Sequence, residues 1–228
     1  MMSAFDKVMV VAVFTLVAGA SALASDEKAP ISDYQAAVLM FVDYGRSYGY
    51  QTMMARIQID TVKADIERDE IVLKQKQELF KRRQIPEIEF EVARLKDAWN
   101  RKQLIVAEKS LAYVSAEYEA MSQMAKHYAG EQIPVQALYA TFRRGWEAGC
   151  DKGPDEVAAM KAWADYLEKS LERARQLNRK DVVSFAAVNE KEAQLKTARS
   201  NYTNRLAGLE KCRAVLFPSL DDVLAIKR

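Results

Sequence analysis

The stretch LIVAEKSLAYVSAEYEAMSQMAKHY, residues 104–128, decides the fold of this chain. Its apolar and small side chains recur at alternating steps of three and four residues. A stripe with a period of about 3.5 residues is typical of a helix that packs along another helix in a left-handed coiled coil. The residues of the stripe are Leu104, Ala107, Leu111, Val114, Tyr118, Met121, Ala125 and Tyr128. We therefore expect a long helix with an apolar seam along this stretch.

Two later segments repeat this spacing. In the first segment the apolar positions are Val157, Met160, Ala164, Leu167, Leu171 and Ala174. In the second segment an apolar residue recurs at every seventh position, at Val188, Leu195, Tyr202, Leu209 and Leu216. Charged side chains flank the stripe of the second segment, as they do in coiled coils that keep their flanks in water. The sequence thus predicts an elongated all-α protein built from long antiparallel coiled-coil helical hairpins.

Glycine and proline mark the ends of the predicted helices. The 228 residues contain only eight glycines and five prolines, which disfavours turn-rich β folds. We expect the first helix to be disturbed near Gly45 and Gly49. The helix-forming segments are 32–83, 86–128, 134–146, 155–178 and 184–215. The predicted organisation is a signal peptide at 1–24, a first hairpin at 25–128, a connecting short helix and loop at 129–155, and a second hairpin with a C-terminal tail at 156–228.

The N-terminal segment has the pattern of an export signal. An apolar run at 8–18 is followed by Ala22 and Ala24, the small residues that a signal peptidase requires, so we expect cleavage before Ser25. The alternative is that this segment is kept as a membrane anchor. The sequence predicts a periplasmic protein whose mature part contacts membranes at most peripherally.

Two cysteines test the predicted second hairpin. Cys150 and Cys212 are equidistant from residue 181, which lies in the predicted turn at 179–183. Residues equidistant from the turn of an antiparallel hairpin lie at the same level. Because exported proteins form disulfides, we expect these two cysteines to be bonded to each other. The alternatives are two free thiols or a bridge between two chains.

An internal repeat surrounds the two predicted turns. Residues 79–113 and 177–216 each contain a basic helix end, a short apolar turn and the start of a new helix. The turns contain Ile85 and Pro86 in the first segment and Val182, Val183 and Ser184 in the second. In this arrangement the sequence resembles the TolC-like outer-membrane efflux protein family, whose two repeats each carry a helix, a tip turn and a descending helix.

The resemblance covers residues 36–112 and 156–216, and it departs from the family in two respects. The β-strands that members carry between their helical pairs have no counterpart at 128–155. The tip glycine common in the family is replaced by Arg83 in one turn and by Lys180 and Asp181 in the other. The resemblance implies a purely helical relative, a component of an envelope-spanning export or surface machine, and channel activity is not carried over from the family by analogy.

Signals for catalysis and for nucleic-acid binding are absent from the sequence. The 34 basic and 32 acidic residues leave a net charge of +2, too balanced for a nucleic-acid-binding protein. His127 is the only histidine, at a predicted helix end where it complements the helix dipole. Asp65 and Asp69 have the spacing of solvated charges on a helix surface. We therefore expect no enzyme activity, no metal site and no cofactor.

An aromatic patch surrounds Gly45 and Gly49 near the start of the first helix. It consists of Tyr34, Phe41, Tyr44, Tyr48 and Tyr50. Two interpretations stay open: the patch packs on another helix, or it presents a surface to a partner.

We expect this protein to act through contacts rather than through chemistry. The hypothesis is a periplasmic coiled-coil structural or interaction protein with protein partners in the cell envelope, able to associate with itself through exposed seams. The alternative is a holdase-type chaperone that grips unfolded clients between its helices. The candidate partner-contact residues at the hairpin tips are Arg83, Ile85, Pro86, Asp181, Val182, Val183 and Ser184.

Overall fold

The structure is a computed structural model that describes residues 31–214 and 217–226. Its helices are α1 (Asp33–Lys81), α2 (Glu87–Tyr128), α3 (Val135–Asp151), α4 (Gly153–Asn178), α5 (Phe185–Ala214) and the short α6 (Leu220–Leu224). No strand occurs in this part of the chain, and the predicted all-α fold is confirmed. The predicted signal peptide, its cleavage site before Ser25, and Leu216 of the third stripe lie outside the described residues.

The helices start where local chemistry favours a start. The Ser32 hydroxyl accepts a hydrogen bond from the Gln35 N–H at 3.3 Å, and the Gln35 side chain accepts one from the Ser32 N–H at 3.0 Å. This capping box satisfies backbone donors that the first turn of α1 leaves free. Pro86 and Pro134 immediately precede α2 and α3, where the missing N–H costs nothing.

The predicted disturbance at Gly45 and Gly49 is wrong, because α1 continues through both residues without a break. A Cβ atom added to Gly45 would lie 3.9 Å from the Cβ of Met121 on α2. Packing along α2 therefore holds this segment helical, although a glycine inside a helix costs about 1 kcal/mol relative to alanine.

The predicted loop around Cys150 and Pro154 is also helical. Only Lys152 separates α3 from α4, and its backbone dihedral angles are themselves helical. Pro154 lies in the first turn of α4, and the Glu156 N–H donates to the Lys152 carbonyl at 3.0 Å. Proline is tolerated at this point because its nitrogen needs no acceptor in a first turn.

The long helices form an antiparallel row in the order α1, α2, α3–α4, α5. Steps along α2 are matched by equal or nearly equal steps backwards along α3–α4. The matched contacts are Glu89 with Arg173, Trp99 with Trp163, Tyr113 with Gly149, and Gln123 with Thr141. At about 1.5 Å per residue, the 42 residues of α2 make this row about 63 Å long.

The central position of α2 changes the predicted seam of residues 104–128. Because α2 packs against α1 on one side and α3–α4 on the other, its buried residues fall on two faces rather than one. Ala120 is buried although it lies off the predicted stripe, while Tyr118 on the stripe is 48% exposed. The long helix is thus present, but its single-seam interpretation is wrong.

The second hairpin has the predicted packing. Its core consists of Ala164, Leu167, Leu171, Val188, Leu195 and Ala198. The predicted disulfide is confirmed: Cys150 is bonded to Cys212, with their Cα atoms 6.1 Å apart. Because Cys150 lies at the end of α3, the bond ties α3 to the far part of α5.

A polar layer lies between α1 and α2. Asp69 is only 6% exposed, and its carboxylate accepts hydrogen bonds from the Asn100 amide at 2.8 Å and from the Lys96 ammonium at 3.1 Å. The prediction that Asp65 and Asp69 are solvated helix-surface charges is therefore wrong for Asp69. Asp65 does pair with Arg68 on the surface of α1.

Candidate interaction surface at the hairpin tips

The turn between α1 and α2 is closed by a Schellman motif. The Gln84 N–H donates to the Leu79 carbonyl at 2.8 Å, and the Arg83 N–H donates to the Phe80 carbonyl at 2.8 Å. Such a motif needs a left-handed residue, and Arg83 takes this role with φ of 56°. Arg83 is exposed, so its side chain projects away from the packed helices.

The turn between α4 and α5 repeats this motif. The Val182 N–H donates to the Leu177 carbonyl at 3.0 Å, and the Asp181 N–H donates to the Asn178 carbonyl at 2.9 Å. Asp181 is the left-handed residue, with φ of 58°. The two tips therefore share one backbone geometry, in agreement with the internal repeat of the sequence.

Both tips lie at the same end of the molecule, because α2 and α4 are neighbours in antiparallel register. Glu89, in the first turn of α2, pairs with Lys76 of α1 at 3.1 Å and also with Arg173 of α4. A second ion pair joins Glu91 of α2 to Lys169 of α4 at 3.1 Å. These bonds fix the two hairpins side by side just below their tips.

Glu89 is held in its ionised form at this junction. Burial opposes its ionisation, but the hydrogen bonds from Lys76 and Arg173 outweigh burial and hold the pKa of Glu89 below its usual value. The carboxylate therefore stays charged over the physiological pH range and keeps both cations in place.

We define the tip surface as residues 82–86 together with 179–185. Its most exposed apolar side chains are Val182, at 65%, and Phe185, at 69%. Phe185 is absent from the predicted contact residues, although a large apolar residue directly after the N-cap Ser184 could have indicated it. The Ala187 N–H donates to the Ser184 hydroxyl at 3.3 Å, which starts α5 and leaves Phe185 facing outward.

The tip surface is basic. Exposed cations at or beside the two turns outnumber the acids, which are Glu87 and Asp181. The cations are Lys81, Arg82, Arg83, Arg179 and Lys180. Lys81 is partly neutralised by Glu78, whose carboxylate lies 2.8 Å from its ammonium. The remaining cations lie at the same end of the molecule as two exposed apolar side chains, a combination suited to a partner with acidic and apolar groups.

The other predicted contact residues take part in forming the turns. Ile85 is half-buried, and Pro86 forms the start of α2. The Val183 carbonyl accepts a hydrogen bond from the Asn178 amide at 2.8 Å. Of the seven predicted tip residues, Arg83, Asp181 and Val182 are exposed and have side chains that take no part in forming the turns.

The aromatic patch of α1 divides between packing and exposure. Phe41 stacks on Tyr128 with ring centroids 5.5 Å apart, while Tyr48 lies beside Tyr113 of α2. Burial raises the pKa of Tyr113 to about 12, with smaller contributions in the same direction from the neighbouring Glu117 and Tyr48. Tyr44 and Tyr50, by contrast, are exposed. Both interpretations of the patch therefore apply, to different members.

Other kinds of site find little support in the part of the chain that the structure describes. Residues 31–214 and 217–226 contain no group of three side chains able to hold a metal ion. None of the helices described there is both long and apolar enough to span a bilayer. No protein-family model, curated protein or solved structure matches the chain at a significant level.

Proposed function

We propose that this protein is a periplasmic coiled-coil interaction protein that docks onto an envelope partner through its tip surface. The observation that carries the proposal is the placement of both tips at one end, which has the exposed side chains of Val182 and Phe185 as well as exposed cations. The row of packed helices behind them holds the two tips side by side.

The resemblance to TolC-like proteins gives this proposal its setting. The two tips share one backbone geometry, which agrees with the two repeats that the resemblance rests on. We propose that the protein serves in an envelope-spanning export or surface machine and recognises its partner at the tips.

Site-specific crosslinking in intact cells tests the proposal. A benzoylphenylalanine at Val182 should crosslink to a discrete envelope protein, whereas the same residue at exposed Val135, at the opposite end of the row, should not. The charge-reversal pair Arg83→Glu and Arg179→Glu should weaken this crosslink at least tenfold. The matched pair Arg143→Glu and Arg144→Glu on α3 should leave it unchanged. Equal crosslinking from Val182 and Val135 would reject tip docking.

A holdase-type chaperone is the second candidate, and the apolar side chains exposed on α1 favour it. They include Leu39, Val42 and Ile57. The purified protein would then suppress aggregation of a heat-unfolded client at equimolar ratio, and Leu39→Ser with Ile57→Ser would abolish this effect. A protein that leaves client aggregation unchanged would not be a holdase.

A further inference from the structure

The outer face of α1 is apolar, and among residues 31–214 and 217–226 no helix other than α2 packs extensively on α1. One face of α1 packs on α2 through buried Ala55, Ile59 and Ile66. On a different face, residues at steps of three and four form what we call the outer stripe. Its members are Leu39, Val42, Arg46, Gly49, Met53, Ile57 and Asp60. Leu39, Val42, Met53 and Ile57 are each about half exposed or more.

A helix that is apolar on two faces is normally covered on both. The spacing of the outer stripe is that of a coiled-coil seam, so its natural occupant is another helix. An anionic lipid surface is a poor occupant, because the stripe carries one cation and one acid rather than a basic face.

The charges of the outer stripe favour a second copy of this chain as its occupant. Arg46 and Asp60 are exposed, have opposite charge, and lie seven residues to either side of Met53. Arg46 also pairs with exposed Asp43 of its own helix, at 2.5 Å. In an antiparallel pair with its two-fold axis at Met53, Arg46 of each copy faces Asp60 of the other. In a parallel pair, each residue would face its own like charge.

The side-chain sizes next to Met53 fit the same axis. Gly49 and Ile57 lie four residues to either side of Met53, so Gly49 of one copy faces Ile57 of the other. The Tyr118 ring of α2 lies beside Gly49, 3.5 Å from where a Cβ atom would stand. Beside them runs an open groove of about 430 Å³, and its lining is apolar at Gly49, Met53, Ile57 and Tyr118 and polar at Thr52, Arg56 and Asp60. The groove can receive the Ile57 side chain of the facing copy.

We propose that two copies of this protein associate antiparallel through the outer stripe, with Met53 at the two-fold axis. The tips of the two copies then point in opposite directions. Residue 83 lies 30 positions from Met53, so the two tip surfaces are about 90 Å apart at about 1.5 Å per residue. The dimer is a rod with a basic docking surface at each end.

Cysteine crosslinking of the full chain tests the axis. In Met53→Cys the two new thiols meet at the axis, so mild oxidation should give a covalent dimer in high yield. Met40→Cys is the matched control, since Met40 is 46% exposed and Met53 49%, but Met40 lies on another face of α1. Equal yields from the two variants, or a protein that stays monomeric at 100 micromolar, would overturn the proposal.

A charge swap tests the antiparallel direction. Asp60→Arg brings like charges together in the antiparallel dimer, so its dissociation constant in sedimentation equilibrium should rise at least tenfold. The double variant Arg46→Asp with Asp60→Arg restores both pairs and should return the dissociation constant to near its original value. A dimer that Asp60→Arg does not weaken, or that the double variant does not restore, would contradict this arrangement. These readouts are independent of the tips, so failure of tip docking leaves them unaffected.

Discussion

Asp69 is a buried acid at the α1–α2 interface. Asp69→Ala removes the buried acceptor of the Asn100 amide and the Lys96 ammonium. We expect a loss of about 2–3 kcal/mol in the free energy of unfolding, because these two donors and the Arg68 Nε–H, which also donates to Asp69 at 3.3 Å, lose their acceptor. Asp65→Ala, the control on the surface of the same helix, should change stability by less than about 0.5 kcal/mol. Equal effects in urea denaturation would refute the buried role of Asp69.

Two glutamates should give opposite pH dependences. The pKa of Glu89 is lowered in the folded protein, so its contribution is complete above the ordinary pKa of 4.5 and is lost as pH falls through the folded value. Glu89→Gln should therefore destabilise the protein at pH 7, and this effect should vanish on acidification.

Glu117 provides the comparison. Burial raises the pKa of Glu117, so folding is penalised once pH rises through the folded value, and the penalty is absent below 4.5. Glu117→Gln should stabilise the protein at pH 7 and leave it unchanged at low pH. Denaturation curves measured from pH 3 to pH 8 check both signs. Two variants that shift stability in the same direction at pH 7 would contradict the assignment.

The identity of Asp69 as a buried group could not be predicted from the sequence. Its spacing from Asp65 is the same as that of two exposed carboxylates, and its partners Lys96 and Asn100 lie on another helix. Only the register of α2 against α1 distinguishes the two aspartates. By contrast, the Cys150–Cys212 bond was predictable, because a hairpin turn alone sets which residues lie level with each other.

At the scale of helices, the glycines of α3 and α4 explain why the connection was misinterpreted. Gly145, Gly149 and Gly153 have the spacing of one helix face, but in sequence they look like loop residues. In the structure they make room for side chains of Glu117, Tyr113 and Leu209, respectively. The hairpins are thus joined by the loop at 129–134 and by α3, which packs along α2 and continues into α4 without a second loop.

This packing gives a testable difference between two glycines. A Cβ atom at Gly149 would lie 3.2 Å from the Tyr113 ring, whereas nothing lies within 4 Å of one at Gly208. Gly149→Ala should lower stability by about 1 kcal/mol net, because crowding exceeds the gain in helix propensity. Gly208→Ala should raise it by about 1 kcal/mol. If thermal unfolding shows both variants stabilised, α3 does not pack closely on α2.

At the left-handed tip residues, replacement by glycine should raise the stability of the protein. Arg83 adopts φ of 56° without the freedom of glycine. Arg83→Gly should stabilise the protein by about 0.5–1 kcal/mol, since it relieves crowding at Cβ. Asp181→Gly should give a smaller gain, because aspartate tolerates this conformation better than arginine does. A loss of stability in Arg83→Gly would show that the first tip is closed differently.

At the scale of the whole molecule, the side-by-side arrangement of the hairpins lay beyond the sequence prediction. The heptad stripes specify that each helix has a partner, but they do not say that α2 has two. That information lies in Trp99 against Trp163 and in Glu89 between Lys76 and Arg173, contacts over long sequence separations. The placement of both tips at one end follows from these contacts.

A spin-label distance between the two tips tests this arrangement most directly. With labels on cysteines at Gln84 and Lys180, pulsed electron resonance should give about 20 Å, two helix spacings of about 10 Å. A control pair at Gln84 and Glu131, at opposite ends of α2, should give about 70 Å, from 47 residues at about 1.5 Å each. A tip-to-tip distance of about 60 Å or more would mean that the hairpins lie end to end, and would contradict a joint docking surface.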